Sequence, residues 1–322
     1  MSYVLGIDGG GTNTVCVLMD KNAQVLGRGE AGPSNYQTLG IKKAKQSIQL
    51  AIDRAILSAN IEQNIHLEIE AISLGLAGVG RPKDLEIVQS LVADLHFTKN
   101  LPIAQLLPSQ NTVICSDCAI ALVGGIGHPI GIAVIAGTGS IIFGQNRQGT
   151  TKRVSGWGYI LGDEGSGYNI AIRGLQAALR FHDGRGNYTT LAEKFQIYLG
   201  LNNLEELVEK VYRCGWGVKE IAALAPIVDR AAAEGDRAAD AIINSAVAEL
   251  TLATKTAISA LFDRKEEFEI VIIGGVWGSE ANCRGRFEAT ISAIAPSAKV
   301  ILPRHEPAFG AGLLALKAVD SW

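Results

Sequence analysis

Twice in this chain a short apolar run ends in a glycine turn that carries threonine and then resumes as a second apolar run. That recurrence constrains the fold more than any other feature. The first instance is Tyr3 to Asp8, then Gly9-Gly10-Gly11-Thr12, then Asn13 to Met19, with a third run from Gln24 to Arg28. The second is Gly131 to Ala136, then the turn Gly137-Thr138-Gly139-Ser140, which opens the run Gly139 to Asn146, and finally Lys152 to Ser155. Short strands joined by tight turns make a β-meander, so each half is predicted to begin with one.

After the first meander the period changes. Ile41, Ala44, Ile48, Ala51, Ile52, Ala55 and Ile56 recur at helical spacing and predict a helix over Leu39 to Ala59. A strand over Ile69 to Gly75, a helix over Lys83 to Leu95, a strand over Thr112 to Cys115 and a short helix over Cys118 to Val123 follow. The second half continues with helical runs at Ala171 to Arg180, Leu204 to Tyr212 and Ala238 to Phe262. Then come a strand from Phe268 to Ile273 that ends at Gly274-Gly275, and helices near Ala281 to Ile294 and Gly310 to Val319. Such alternation builds α/β layers around a partly parallel sheet. The boundary between halves is expected within Asp117 to Pro129. This gives domains of 1–118 and 119–307, with a helical insertion in the second and a last helix, about 308–322, returning to the first.

Length and charge narrow the partners. A chain of 322 residues suits two domains. With 29 Lys plus Arg against 32 Asp plus Glu, the net charge is -3, which gives no basic footprint for nucleic acid or an anionic membrane and leaves a small ligand as the expected partner. Glycine accounts for 37 residues, well above the usual share of about 7%, so backbone is expected to come close to something at many positions. Five cysteines, an odd number with no secretory signal before them, argue against a disulfide framework. The most apolar stretch, Ile126 to Phe143, is broken by His128, Pro129 and several glycines and cannot span a bilayer. A soluble, cytoplasmic protein is expected.

The glycine turns carry the first chemistry. In Asp8-Gly9-Gly10-Gly11-Thr12, successive N–H groups can converge on one anion and make a phosphate nest. Asp8 would face a phosphate-bound Mg²⁺ through water. No G-x-x-x-x-G-K-[ST] occurs, so this is not a P-loop. Gly137-Thr138-Gly139-Ser140 repeats the device with hydroxyls added. Either turn alone also fits ordinary hairpin chemistry; two of them could grip a nucleotide from both sides of an interdomain cleft.

Carboxylates supply the rest. Val113-Ile114-Cys115-Ser116 is an apolar strand ending at Asp117, and strand ends of this kind face the ligand crevice of open α/β sheets. Asp117 is therefore a candidate to accept a proton from a substrate hydroxyl, and equally a good helix N-cap. The densest segment runs from Gly156-Trp157-Gly158 to Gly162-Asp163-Glu164-Gly165-Ser166-Gly167. Asp163 and Glu164 could bond sugar hydroxyls while Trp157 offers a ring face, or they could serve as cap and first-turn acids of the next helix. Their adjacency argues against a glycosidase pair. Cys115 and Cys118 form a C-x-x-C with no second pair to complete a zinc site, and read as core thiols.

Taken together, Asp8-Gly-Gly-Gly-Thr12, Ser34-Asn35, Gly75-Leu-Ala-Gly78, Ser116-Asp117, Gly137-Thr-Gly-Ser140, Gly156-Trp-Gly-Tyr159 with Gly162-Asp-Glu-Gly-Ser166, and Gly274-Gly-Val-Trp-Gly-Ser279 resemble, in order, the N-acetylglucosamine kinase branch of the BadF/BadG/BcrA/BcrD ATPase family. The resemblance covers nearly the whole chain. It implies two ribonuclease H-like, actin-like ATPase domains with an interdomain cleft that closes over Mg-ATP and an amino sugar. It further implies Asp117 as the base for the sugar 6-hydroxyl. Asn35 and Asp163 would be sugar ligands, with Gly139, Ser140, Gly156, Trp157 and Gly158 lining the same pocket. Thr12 and Thr138, beside Gly9, Gly10 and Gly11, would be phosphate contacts, Asp8 the metal ligand, and Gly275 and Ser279 part of the nucleotide pocket. Lys194 to Gly217 matches the family poorly. The resemblance leaves the assembly open, a homodimer included.

Two rival readings share some of these residues. An ATP-driven activator of a 2-hydroxyacyl-CoA dehydratase would carry an iron–sulfur cluster, with Cys115 and Cys118 as its only encouragement; Asn35 and the Gly-Trp-Gly block favour a sugar. A non-catalytic sugar sensor would need a DNA-binding element, and the first meander starts at Tyr3.

Overall fold

The structure, a computed structural model, describes residues 2–60, 68–80, 82–93 and 111–319. The chain divides into two compact units, Met1–Ile130 with Pro303–Trp322, and Gly131–Leu302.

In the first unit, β1 (Ser2–Gly9), β2 (Thr14–Asp20), β3 (Val25–Ala31), β4 (Glu68–Leu76) and β5 (Thr112–Ser116) form one sheet in the order β3-β2-β1-β4-β5. The meander β1–β2–β3 is antiparallel, while β4 runs parallel to β1 and β5 parallel to β4. Successive side chains of a strand point to opposite faces. Leu5, Ile7, Cys16 and Leu18 therefore cluster on one face with Ala44, Ile48, Ala51, Ile52 and Ala55. Those five belong to α2 (Ile41–Ser58), separated from a short α1 (Tyr36–Leu39) by Gly40 at φ 79°. Ile41, expected on the apolar stripe, is instead 49% exposed at the first position of α2.

Val4, Val15, Val17, Met19 and Ala71 face the other way and meet Ala308 and Ala315 of the returning helix Pro307–Val319. A Cβ on Gly6 would lie 2.2 Å from the Gly312 nitrogen, and one on Gly312 would lie 1.9 Å from Met19 Sδ, so this helix touches the sheet through bare backbone. Helix α3 (Pro82–Ala93) follows β4, and Leu95, where it was expected to end, lies outside the described residues, as do 320–322 of the last helix.

The expected break after residue 118 falls inside α4 (Asp117–Ile126), all of which belongs to the first unit. The reason is contact with the returning segment. The N–H groups of Arg304 and His305 donate to the carbonyls of Gly125 (3.0 Å) and Gly124 (3.1 Å), and a Cβ on Gly124 would stand 2.5 Å from the Glu306 carbonyl.

The second unit repeats the plan. β6 (Gly131–Ala136), β7 (Ser140–Gln145), β8 (Thr151–Ser155), β9 (Phe268–Ile273) and β10 (Ala298–Ile301) lie in the order β10-β9-β6-β7-β8, the same arrangement as the first sheet. Strand β10 was not expected, because its four residues are at best half-buried and carry no clear alternation. Helices α5 (Gly167–His182), α6 (Leu191–Leu199), α7 (Leu207–Arg213), α8 (Val218–Ala222) and α9 (Ala225–Ala233) form the insertion, and α10 (Arg237–Leu261) then crosses β6, β7 and β8. After β9 comes α11 (Cys283–Ile294), and the returning helix is α12. No helix among the described residues is long and apolar enough to cross a membrane.

One carboxylate secures the insertion. Asp236 Oδ1 accepts from the Ala238 (2.9 Å) and Ala239 (3.0 Å) N–H groups as the N-cap of α10, and its Oδ2 accepts from the hydroxyls of Thr189 (2.8 Å) and Thr190 (2.9 Å). Burial by itself would raise the Asp236 pKa, but the Ala239 and Thr190 N–H groups and the two hydroxyls bring it below the usual carboxylate value. Asp236→Ala is expected to cost about 2–4 kcal/mol, a cap plus charge-assisted bonds. Because the folded-state pKa is depressed, the gap between variant and parent should be full above the unfolded carboxylate pKa and close as pH falls through the lowered folded value. Urea unfolding at several pH values checks both.

Candidate active site

Strand register brings the acidic residues of the first unit together. Asp8 pairs with Gly75 across the β1–β4 ladder and Gly75 with Cys115 across β4–β5; one residue further, Gly9, Leu76 and Ser116 align. All three strands are parallel and end at the same edge. Asp8 and Asp117 thus stand at the carboxyl ends of strands separated by one neighbour, about 10 Å apart at the backbone from two interstrand spacings.

At that edge the first glycine turn is held from outside. Gly10 N–H donates to the Asn13 carbonyl (2.9 Å), Ser34 N–H to the Gly10 carbonyl (3.0 Å) and Ala77 N–H to the Gly9 carbonyl (2.8 Å). None of the three glycines has positive φ, so a strained hairpin does not explain them. A Cβ on Gly9 would strike Leu76 at 2.3 Å, but one on Gly11 would meet nothing within 4 Å. Neither packing nor backbone conformation requires glycine at position 11, which leaves the backbone there open on one side. Thr12 beside it is exposed.

Asp117 is half-buried at the first position of α4, and its Oδ1 accepts from the Cys118 N–H at 2.9 Å. Capping falls to Ser116, whose hydroxyl oxygen accepts from Ala119 N–H at 3.3 Å. The Asp117 carboxylate is therefore not needed to start the helix. Asn35 caps α1 by accepting the Gln37 N–H at 3.0 Å, and Gln37 in turn donates to the Gly78 carbonyl (2.9 Å), which joins the Ser34-Asn35 and Gly75–Gly78 motifs.

The Asp8 carboxyl is pushed up to about 7 by burial first, then by the charges of Asp117 and Glu306. Asp8 is a single hard-oxygen donor, which fits Mg²⁺, since that ion binds through one or two carboxylates plus waters and phosphate oxygens. Among the described residues no three His, Cys, Asp or Glu side chains converge as a metal cage. Cys118 is buried and its thiol donates to Asp117 Oδ1, and Cys115 is half-buried on β5.

In the second unit, the Gly137–Ser140 turn receives the N-terminus of α5. Gly167 N–H donates to the Gly137 carbonyl (2.8 Å) and Tyr168 N–H to the Thr138 carbonyl (3.3 Å). Thr138 is exposed, and a Cβ on Gly137 would again meet nothing within 4 Å. Ser140 is buried and donates to the Glu164 carbonyl at 2.7 Å, so its hydroxyl braces the next loop. That loop is bracketed by two non-glycine residues in the left-handed region, Ser155 (φ 62°) and Asp163 (φ 58°), a conformation that costs on the order of 1–3 kcal/mol and concentrates at functional sites.

Asp163 Oδ1 accepts from Gly158 N–H at 3.1 Å, and its Oδ2 sits where a Cβ on Gly139 would come within 2.6 Å. Burial raises its pKa, the Gly158 N–H opposes this, and the Glu164 charge raises it again. Asp163 thus touches both Gly139 and Gly158. Gly156 is held by Arg153, whose guanidinium donates to its carbonyl and lies 5.4 Å from the Trp157 ring centroid. Trp157 is 66% exposed, so most of its surface is free of the core. The N-cap of α5 is Ser166, which accepts from Asn169 N–H at 3.1 Å, and not the expected Asp163 or Glu164.

Beside the second turn lies a cavity of about 570 Å³ within this unit. Gly137, Thr138, Gly275 and Ser279 line it, which brings together residues expected at a phosphate turn and in a nucleotide pocket. Gly274, at φ 110°, packs its Cα against the Ala136 carbonyl, and the Trp277 indole donates to the Val134 carbonyl at 3.2 Å. Lys219 and Asp229, from α8 and α9, also line the cavity. Sequence reasoning missed both, since neither belongs to a motif.

Two sheets of identical strand order, each opening on a glycine turn, define a two-domain α/β ATPase fold. The chain belongs to the BadF/BadG/BcrA/BcrD ATPase family, whose profile matches residues 5–315. It is 33% identical over 320 residues to an N-acetylmuramic acid/N-acetylglucosamine kinase of Clostridium acetobutylicum, covering 99% of this chain and 100% of that one. It is 33% identical over 323 residues to an N-acetyl-D-glucosamine kinase of Dictyostelium discoideum, covering 98% of each. A crystal structure from Chromobacterium violaceum, provisionally named an N-acetylglucosamine kinase, superposes with a TM-score of 0.74 at 25% identity over 98% of both chains.

Proposed function

We propose that this protein is an ATP-dependent kinase that transfers the γ-phosphoryl group to the 6-hydroxyl of an amino sugar, N-acetylglucosamine, in the cytoplasm. The observation that carries the reading is Asp117, a carboxylate at the carboxyl end of β5 that the helix cap does not require, beside a glycine turn whose Gly11 is open to a ligand. The two relatives that match at full length point to the same substrate class.

In this mechanism Asp117 accepts the proton as the sugar O6 attacks; the new bond is O6–P, the broken bond is that between the γ-phosphorus and the bridging oxygen, and ADP leaves. Asp163 holds a sugar hydroxyl, Trp157 with Gly139, Ser140, Gly156 and Gly158 shapes the pocket around it, and Asn35 of the first unit is a further sugar ligand. The N–H groups of Gly9, Gly10 and Gly11, with Thr12 and Thr138, hold phosphate oxygens. Asp8 would hold Mg²⁺, which supplies charge neutralisation on the transferred phosphate. Positioning and electrostatics do most of the work in such a transfer.

The test is coupled ADP release with N-acetylglucosamine, glucosamine, N-acetylmuramate and glucose, with and without Mg²⁺. Mg²⁺-dependent ADP release with N-acetylglucosamine is expected. Release on none of the four removes the kinase reading; release on another sugar alone moves the acceptor.

Gly139→Ala tests the sugar pocket. Its Cβ would displace the Asp163 carboxylate without straining the backbone, and a shift of this size is expected to lower kcat/KM for the sugar by about 10- to 100-fold while the KM for ATP stays within about twofold. Steady-state kinetics in both substrates decides, and an unchanged sugar KM would take Asp163 off the sugar.

A further inference from the structure

One carboxylate from the inserted helices fixes the far wall of the cavity. Asp229, on α9, accepts hydrogen bonds from the Ser279 hydroxyl, the Glu280 N–H (2.7 Å) and the Ala281 N–H (3.2 Å). Those three consecutive donors follow the 3-10 turn Gly275–Gly278 and lead into α11. The turn is anchored at one end by Gly274 on Ala136 and by the Trp277 indole, and at the other by Asp229. Asp229, Gly275, Ser279 and Glu280 all line the cavity.

The direction of the Ser279 hydrogen bond matters. Its hydroxyl proton points to Asp229, so Ser279 has no proton left to offer a phosphate oxygen. The Glu280 and Ala281 N–H groups are likewise spent on Asp229, and the Glu280 carboxylate is paired with Arg230 at 3.5 Å, so this stretch of wall offers no donor to a phosphate and suits the uncharged part of a nucleotide. The phosphates then belong at the Gly137–Thr138 turn.

We propose that Asp229 is a positioning residue for the nucleotide: it holds the 279–281 wall in place against the nucleoside, and Ser279 acts through it. This inference rests on the kinase reading above. It makes the insertion part of nucleotide binding, although its sequence carries no nucleotide motif.

The test is titration calorimetry with ADP on the whole protein, plus steady-state kinetics, for Asp229→Ala, Asp229→Asn, Ser279→Ala and the Asp229→Ala/Ser279→Ala pair. Asp229→Ala is expected to weaken ADP binding and raise the ATP KM by about 10-fold or more, because three donors lose a charged acceptor. The sugar KM and kcat should stay within about threefold, a KM-against-kcat split that general loss of structure would not produce. Ser279→Ala, which leaves two backbone donors on Asp229, should weaken binding less. The pair should be no worse than Asp229→Ala alone, and Asp229→Asn should lie between Asp229→Ala and the parent.

ADP affinity in Asp229→Ala equal to the parent's overturns the inference. So does a double variant whose loss is the product of the single losses, since Ser279 would then touch the nucleotide independently. A parallel fall in sugar affinity and kcat overturns it as well. If Asp229→Ala does not fold, Ser279→Ala and Asp229→Asn carry the comparison, and parental ADP affinity in both has the same meaning. Absence of ADP binding in the parent protein would instead remove the kinase reading itself.

Discussion

Asp117→Asn is expected to fold, to bind ADP as the parent does, and to lose about 10²- to 10⁴-fold in sugar-dependent turnover, the scale of a missing general base. The structure makes this a clean substitution. The helix cap is Ser116, so α4 keeps its first turn. An asparagine carbonyl can still accept the Cys118 N–H that now meets Asp117 Oδ1, so the side chain keeps its place and changes only in basicity. Turnover by coupled ADP release, ADP affinity by calorimetry and thermal unfolding separate the effects. Turnover near the parental value would remove Asp117 from the role of base, and a large fall in melting temperature would show that the substitution had tested stability instead.

Gly6→Ala carries the second large effect, on stability. The added methyl would lie 2.2 Å from the Gly312 nitrogen and 2.5 Å from the Ala308 carbonyl oxygen. Both are backbone atoms of α12, which cannot rotate away as a side chain would. Overpacking of this kind costs about 3 kcal/mol or more. Relief would require α12 to lift from β1, which would expose Val4, Val17 and Met19 on the face it covers. For a unit of this size the melting temperature should fall by about 6–12 °C, and protease should release α12 at temperatures where the parent resists. A melting temperature within about 1 °C of the parent's would mean that the helix and sheet can separate at little cost.

The parts of the molecule legible in the sequence are those where one residue type has one physical reason. The two meanders show because β1, β2 and β6 are buried on both faces, which makes nearly continuous apolar runs interrupted at the glycine turns, whereas the edge strands β3 and β8 are partly exposed. Asp117 stands out because a carboxylate ends an apolar strand, but the sequence could not separate it from a helix cap, and only the structure gives that cap to Ser116. Gly139 and Asp163, predicted to share a pocket, do lie in contact.

Other features depend on partners distant in the chain. Asp229 sits in an alanine-rich helix and reads as an exposed acid; its donors are about fifty residues downstream, and no spacing rule connects them. Ser140 carries a hydroxyl that looks available to a phosphate until its bond to the Glu164 carbonyl is seen. Strand β10 is short and partly exposed, so its only strong signal is the parallel pairing with β9. The domain break was misplaced by a dozen residues because α4 is claimed by a segment that arrives far later in the chain.

That late arrival orders the birth of the molecule. Gly131–Leu302 is continuous, whereas the face of β1 and β2 that carries Val4, Val17 and Met19 waits for α12. On the ribosome the amino-terminal sheet is made first and finished last, with half its apolar surface open while the entire second unit is synthesised. A nascent chain that has emerged from the ribosome as far as residue 302 should therefore hold a folded second unit beside an incomplete first one, and it is in that interval that a chaperone would find something to hold.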